Sequence, residues 1–560
     1  MPLRAPQLAA VPPGQSQTCC RAAREEHAAQ LPRALSAGGA LRTTELLLAV
    51  MRTRVANGKL HYNFTSLDNL MDLLWKNKLI PGFELMGSLS GYFTDFEDKK
   101  QVIRWKSLIA LLAKRYIGGL ALKSALPGRI WGTVDTIRRY WPPGAIPECS
   151  IVTALDSTLN SDARLSAVAL TQGGATDDTA YRGAGSSLHI LEQETEAMEQ
   201  IQKLFPNFTS VPIYNDEADP LVGWSVPQTW RADVTYAAMV VKVIIQHQNL
   251  LISKANNTIN YTLLSNDNAF MNYHPHYFTQ RTLTARFQMN NTKPPHVQMV
   301  RKPVLTVMGL LALLGENQVF ADIISKDESA DTDTVGVLAT AHTPAELQPS
   351  DSWQATILIY ASDDNQTSSN ISAVTVNITH FPRHADLVYV TYYLDNNLTN
   401  PYLEWKKVES PDFPSVKQFQ QIRDAEDPVV TGPFPFPGDG RLILKQELPL
   451  PSVFLIHVCA RPHSVPNQVA GVYLIPLTKG QVAVLWDDDC VASRCLKTYE
   501  VEFSPDGKAY RRINARDTIF TLWVYSPGTK VSGFYRVRAV DYWSKPGLFS
   551  IPVQYIEALA

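Results

Sequence analysis

The stretch SSLHILEQETEAMEQIQKLF (Ser186–Phe205) is followed, five residues later, by VPIYNDEADPLVGW (Val211–Trp224). The first reads as a helix. The second opens with a short apolar run, Val211 to Tyr214, that stops at Asn215, Asp216, Glu217 and Asp219. A second long helix, WRADVTYAAMVVKVIIQHQNLL (Trp230–Leu251), comes next, and then another apolar run that ends in polar residues, YTLLSNDNAF (Tyr261–Phe270). Helix, strand, helix, strand, with each strand ending in an acid, is the rhythm of an α/β barrel or a doubly wound sheet. In an α/β barrel the active site is built at the C-terminal ends of the strands.

Working outward, the same rhythm holds from about 41 to 120. LDNLMDLLWKNKLI (Leu67–Ile80) has apolar residues at helical spacing, GFELMGS (Gly82–Ser88) is a short strand, and TDFEDKKQVIRWKSLIALLAKRYI (Thr94–Ile117) is an amphipathic helix. Thr94 and Glu97 carry the pattern of a capping box. Residues 1–40 are rich in Ala, Pro, Gln and Arg and are expected to be poorly ordered. Between 119 and 180 the rhythm fails, and no strand there ends in a polar cluster. The helix around VLTVMGLLALL (Val304–Leu314) closes the α/β region at about 315. From 316 to 463 the pattern turns to period two, in VGVLATAH, WQATILIYAS, AVTVNITHF, DLVYVTYYLD and RLILKQELPLPSVFLIHVCA, which predicts a β-sandwich with a Pro-rich loop, DPVVTGPFPFPGDG, at 427–440. Residues 464–560 resemble a fibronectin type III domain, with a hairpin at Pro505-Asp506-Gly507.

Bulk properties exclude several classes. The 560 residues are 45% apolar and 19% charged, with formal net charge −2. Such a balance does not point to nucleic acid. No apolar run reaches membrane-spanning length, so no membrane insertion is expected. The opening MPLRAPQLAAVPPGQSQTCC has no continuous apolar core of secretory type. Nine Asn-X-Ser/Thr tripeptides, at Asn63, Asn207, Asn256, Asn260, Asn290, Asn365, Asn370, Asn377 and Asn397, nevertheless favour a glycosylated protein. Six cysteines are too few for a disulfide scaffold. Cys459 and Cys495 can form one bridge, and Cys490 can compete for either.

Acids at the ends of neighbouring strands suit glycoside hydrolysis, where a retaining enzyme sets two carboxyls about 5–5.5 Å apart, one ionised and one protonated. The competing reading of Asp216, Glu217 and Asp267 is a polar loop that caps the following helix. Trp224 suits the apolar face of a sugar, or else packs a loop. Arg281, fourteen residues after Asp267, can grip a uronate carboxylate bidentately or pair with a surface acid. His274 and His276 form a His-x-His pair without a third ligand of suitable spacing, so no metal and no cofactor is expected.

YNFTSLDNLMDLL, PGFELMGSLSGYFTDFEDK, ILEQE, PIYNDEADPLVGWS, WRADVTYAAMVVKV, LLSNDNAF, HPHYFTQRTLTARFQ and DYWSKPG closely resemble the α-L-iduronidases of glycoside hydrolase family 39, over about 41–118 and 182–556. The resemblance implies a (β/α)8 barrel, a β-sandwich and a fibronectin-III-like domain. It also implies retaining hydrolysis of terminal α-L-iduronate from dermatan and heparan sulfate in the lysosome. Glu217 matches the nucleophile of the motif NDEADP. Gly223 and Trp224 match pocket positions, Asp267 an acid that hydrogen-bonds the sugar, and Arg281 a substrate-binding Arg. Arg182 stands where the family has a Lys for the uronate carboxylate; the sign of charge is kept, and an Arg is not geometrically interchangeable with a Lys in general.

Two departures matter. The family's acid/base is the Glu of a Trp-Asn-Glu-Pro-like motif, and nothing between Gly119 and Ala180 resembles it; the one Glu there is Glu148, in PPGAIPECS. Thr44 stands in the position of a substrate-binding His, and the first barrel strand has no counterpart. The nucleophile half of the site is legible and the acid half is not. The runner-up reading is therefore a glycosaminoglycan-binding homologue without its general acid. A β-xylosidase activity fits less well, because xylose has no carboxylate for Arg182 and Arg281.

Overall fold

The structure is a computed structural model. It describes residues 52–69 apart from 57, 58 and 66; 98–116; 168–170; 186–215 apart from 205 and 207–212; 218; and 226–557 apart from 255–258, 260, 265, 267, 269–271, 273, 294, 325–333, 345–347, 365–367, 380, 382–385, 439 and 489–494. Among these, no helix is long and apolar enough to cross a membrane.

The first elements among the described residues are an antiparallel hairpin, β1 (Arg52–Ala56) and β2 (Lys59–Asn63), which the sequence did not announce. Helix α1 (Lys99–Tyr116) follows. It starts later than the Thr94 signature suggested. Asp98 does the capping: its carboxylate accepts the Lys100 N–H at 2.9 Å and its carbonyl accepts that of Val102 at 3.0 Å. Thr94 and Glu97, like the strand expected at 82–88 and most of the helix expected at 67–80, lie outside the described residues. Arg115 of α1 clamps Asp68 at 2.9 Å.

The decisive stretch folds as its rhythm implies, but a strand also stands at Val168–Leu170, before Thr171-Gln172, inside the stretch 119–180 where no strand ending in a polar cluster was expected. Strand β3 (Val168–Leu170), helix α2 (Ser186–Leu204), strand β4 (Ile213–Asn215), helix α3 (Val234–Gln246) and strand β5 (Tyr261–Leu264) alternate. The three strands are parallel, in the order β3-β4-β5. Parallel neighbours need a crossover, and α2 and α3 supply it. The helix read as Trp230–Leu251 is really three pieces. A 3-10 turn at Thr229–Arg231 precedes the cap residue Asp233, whose side chain accepts the Thr235 N–H at 3.0 Å. At His247 the α-helix passes into a π-helix, His247–Ile252. There His247 meets buried Glu194 of α2, which also accepts the Tyr261 hydroxyl at 2.7 Å.

Every residue of α3 is buried. An all-round apolar helix must be covered on all sides. One side meets α2 and helix α4 (Pro303–Leu311), which follows the antiparallel hairpin β6 (Thr284–Met289) and β7 (His296–Arg301). The other side meets the β-sandwich through Leu338, Leu358, Tyr360 and Leu455. Lys242, inside α3, carries its amino group into the core. Its ammonium lies 3.1 Å from the Ser362 carbonyl and 3.4 Å from Asp364, which also accepts the Ser187 hydroxyl at 3.0 Å.

The sandwich comprises β8 (Asn317–Val319), β9 (Val335–His342), β10 (Gln354–Ala361), β11 (Ile371–Ile378), β12 (Leu387–Asp395), β13 (Val429–Pro435), β14 (Leu442–Pro449) and β15 (Ser452–Ala460). One sheet runs β13-β12-β15-β10-β9-β8, the other β11-β14. Strands β10 and β15 are buried at every position, because one face meets β11 and β14 and the other meets α3. The Pro-rich segment is not simply a loop. Val429–Pro435 is the edge strand β13, where prolines cost no ladder bond on the open side. Two short helices, α5 (Pro401–Lys407) and α6 (Val416–Asp424), are inserted between β12 and β13.

The last unit is a smaller sandwich: β16 (Ala470–Thr478), β17 (Gln481–Asp487) and β20 (Leu522–Tyr525) against β19 (Arg511–Arg512), β18 (Leu496–Ser504), β21 (Gly533–Asp541) and β22 (Val553–Tyr555). Trp486 is fully buried between the sheets. The Tyr535 hydroxyl donates back to the Val531 carbonyl at 2.6 Å, the tyrosine corner of Greek-key sandwiches. The expected hairpin turn sits at Ser504–Gly507, and Gly507 there has φ +77°.

Two seams join this unit to the rest. At one, Cys459 and Cys495 form a disulfide beside a chain of hydrogen bonds, Tyr392 to Tyr542 (2.8 Å), Tyr542 to His457 (2.9 Å) and His457 to Gln354 (3.2 Å). At the other, the buried Arg301 guanidinium stacks 3.6 Å over the Phe520 ring and pairs with Asp427. Arg423 pairs with Glu426 at 3.1 Å, and Arg516 reaches Asp424 at 2.6 Å and Asp427 at 3.0 Å. Three arginines and three acids from three parts of the chain thus share one clasp.

Candidate active site

The parallel register fixes where the chemistry can gather. Leu170 of β3 pairs with Asn215 of β4, and Asn215 pairs with Leu264 of β5. The three strands therefore end side by side, about 4.8 Å apart in the pairing direction. Glu217 comes two residues after the end of β4 and Asp267 three after the end of β5, so both segments leave the same edge of the sheet. Glu217, Asp267, Gly223, Trp224 and Arg182 themselves lie outside the described residues. Their neighbours do not. Ala218, beside Glu217, is buried in the main core. Asn268, beside Asp267, donates to the Tyr236 hydroxyl of α3 at 3.0 Å, and the Tyr236 ring meets Trp230 edge-on at 5.7 Å.

Arg281 is the predicted site residue the structure places in full. It is 4% exposed, between buried Gln280 and Thr282, in the irregular segment that leads into β6. A buried guanidinium is costly unless the fold gives it a purpose or partners. The segment is tied to the loop after β4: the Gln228 N–H donates to the Thr279 carbonyl at 2.7 Å. Arg231, fully buried, donates to the Val226 carbonyl of that loop at 3.0 Å and lies 5.0 Å over the Trp230 ring. The stretch that carries Glu217, Gly223 and Trp224 is thus anchored at its far end to the segment that carries Arg281.

Two residues that sequence reasoning passed over belong to this scaffold. Arg231 follows Trp230 in TWRAD, and Lys302 precedes the apolar run PVLTVMGLL. The Lys302 ammonium donates to the Gln280 carbonyl at 2.8 Å and lies 3.4 Å from the Thr282 hydroxyl. Neither carries a sequence signal of this role, which rests on burial against backbone carbonyls.

The His-x-His pair lies in the irregular segment before β6. His274 is exposed, 3.2 Å from Asp412 and edge-on to Tyr277. Tyr277 donates to the same Asp412 at 3.0 Å; burial and that carboxylate hold its phenol well above the usual 10. Among the described residues the one grouping of metal-ligating types is His457, Cys459 and Cys495, whose two sulfurs are bonded to each other. Of the expected sequons, Asn290 is exposed in the turn after β6; the side chain of Asn63, at the end of β2, is not among those described.

A family model described as "Glycosyl hydrolases family 39" matches residues 14–131 and 175–443. The chain belongs to glycosyl hydrolase family 39. A second model of that lineage, "Alpha-L-iduronidase C-terminal domain", matches residues 470–557. The alpha-L-iduronidase of Homo sapiens is 50% identical over 565 residues, covering 92% of this chain and 84% of that one. That of Mus musculus is 48% identical over 556 residues, covering 92% and 87%. Among solved structures, the bacterial orthologue of human α-L-iduronidase superposes with a TM-score of 0.73 at 23% identity, covering 98% of this chain and 96% of its own. The family 39 match skips residues 132–174, inside the stretch where the α/β rhythm fails.

Proposed function

We propose that this family 39 glycosidase removes terminal α-L-iduronate from glycosaminoglycans, dermatan and heparan sulfate, by double displacement with Glu217 as nucleophile. The observation that supports this reading is the shared register of β4 and β5, whose C-terminal ends precede Glu217 and Asp267 in the chain, together with the bond that ties Gln228 to Thr279 in the segment before Arg281. It is supported by 50% identity to an α-L-iduronidase across barrel and C-terminal units alike. In this reading β3, β4 and β5 are part of a (β/α)8 barrel, and the enzyme works in the lysosome.

The chemistry follows from the residue types. The Glu217 carboxylate attacks the anomeric carbon while the glycosidic C–O bond breaks, giving a glycosyl ester with inverted configuration; the leaving oxygen departs with the bonding pair and takes a proton from water, and the water that later attacks gives up its own proton to solvent. Water then attacks the same carbon, frees Glu217 and restores the configuration. Asp267 accepts hydrogen bonds from sugar hydroxyls. Arg281 and Arg182 neutralise the uronate carboxylate, Trp224 covers the apolar face of the ring, and Gly223 leaves room for it. Turnover of a fluorogenic α-L-iduronide at acid pH, with the product anomer read by NMR, tests the reading. Retention is expected; inversion overturns double displacement.

One observation favours a second reading. The family match skips 132–174, where the acid/base Glu belongs, and lack of general acid costs roughly 10²–10⁴-fold in rate. A chain that binds iduronate without turning it over is a glycosaminoglycan-binding homologue with the acid lost.

A further inference from the structure

We propose that Lys302 is a positioning residue for Arg281 and thereby sets the preference for a carboxylate-bearing sugar; the inference rests on Arg281 binding the uronate. Lys302 is fully buried. Removing an ammonium from water is expensive and persists only where hydrogen bonds compensate. Its position is the N-cap of α4, yet its side chain makes no capping bond there. A cation at a helix N-terminus is also on the wrong side of the helix dipole. Helix stability therefore does not explain it; Ser, Thr, Asp or Asn would serve α4 better.

What Lys302 does is hold Arg281 from both sides. Its ammonium donates to the carbonyl of Gln280, the residue before Arg281, and lies 3.4 Å from the hydroxyl of Thr282, the residue after. Its own N–H donates to the Leu283 carbonyl at 3.1 Å. The Thr282 hydroxyl goes on to the Thr284 carbonyl at 2.7 Å, at the first residue of β6. This clamp grips the chain on both sides of Arg281 and so helps fix the base from which the guanidinium projects. A guanidinium displaced by about 1 Å loses bidentate geometry, and such misplacement costs up to about 100-fold.

The test reads binding in a Glu217→Gln background, so that turnover plays no part. Dissociation constants are measured by calorimetry for methyl α-L-iduronide and for its neutral counterpart, methyl α-L-idopyranoside. Lys302→Met should weaken the uronide roughly 10- to 100-fold and the neutral glycoside less than about threefold, with Thr282→Val intermediate. In an Arg281→Gln background Lys302→Met should add little, because the two act through one contact. Equal losses for both sugars, full additivity with Arg281→Gln, or no loss at all overturns the proposal. If Lys302→Met does not fold, Thr282→Val decides by the same ratio. If Arg281→Gln itself leaves the uronide preference intact, the reading of Arg281 falls, independently of the clamp.

Discussion

Replacing Cys459 and Cys495 together by alanine removes the covalent seam between the β-sandwich and the C-terminal unit. The bridged residues are 36 apart in sequence. Closing a loop of that length lowers the entropy of the unfolded chain by an amount equivalent to about 3.8 kcal/mol at 25 °C, between the ~3 of a 15-residue loop and the ~4.7 of a 100-residue one. Both sulfurs are buried, and the neighbouring Tyr392–Tyr542–His457–Gln354 hydrogen bonds do not depend on them, so the native seam should survive. The loss then appears as a lower melting temperature with unchanged activity at low temperature. For a cooperative unit of 150–250 residues it corresponds to roughly 8–15 °C. Differential scanning calorimetry of wild type and double variant, at one pH and protein concentration, measures it. A shift below about 3 °C would show that the bridge does not restrain the unfolded chain as a closed loop of this length should, and would refute the loop-closure reasoning.

Glu217→Gln should reduce turnover of an α-L-iduronide by roughly 10³-fold or more with the melting temperature unchanged, read by fluorimetry and calorimetry. Arg301→Met leaves Glu426 and Asp427 facing each other without their shared cation, and should cost about 3 kcal/mol, measured as a shift in thermal or urea midpoint. Burial alone would raise the Glu316 carboxyl, but hydrogen bonds from His342 and from the Thr343 backbone outweigh it and bring it from 4.5 down to about 2. A depressed carboxyl stabilises fully above 4.5 and loses its contribution as pH falls toward 2. Because Glu316 is 43% exposed, that contribution is discounted to about 1 kcal/mol. Glu316→Gln should therefore melt below wild type at pH 5–7, and the two curves should converge near pH 2.

The α/β part was legible because its signal is local. The apolar spacing in Ser186–Leu204 and in Val234–Gln246 sets the helices, and the abrupt polar stops after Tyr214 and Leu264 end the strands. Where a competing local cue existed, it misled. The prolines of 427–440 suggested only a loop, yet an edge strand tolerates them. Helices α5 and α6 are too short for periodicity to stand out, although Asn400-Pro401 and the Ser415–Gln418 capping box mark their starts. At the site, Arg281 could be picked by type and distance from Asp267. Lys302 and Arg231 could not, because what defines them is burial against backbone carbonyls, a tertiary fact. The disulfide was one of several pairings open to three cysteines until β15 and β18 were placed.

The clasp around Arg301 also sets a schedule. Arg301 emerges about 220 residues before Phe520, the ring that covers it. At about 5–20 residues per second, the barrel end waits roughly 10–45 s during synthesis for its last neighbour. For that interval a guanidinium and an apolar surface meant for the interior face solvent, one residue away from the lysine that holds Arg281. A chain stopped anywhere before 516 would lack both the Phe520 ring over Arg301 and the Arg516 pairs with Asp424 and Asp427. The clasp is thus finished only when the last unit of the chain arrives.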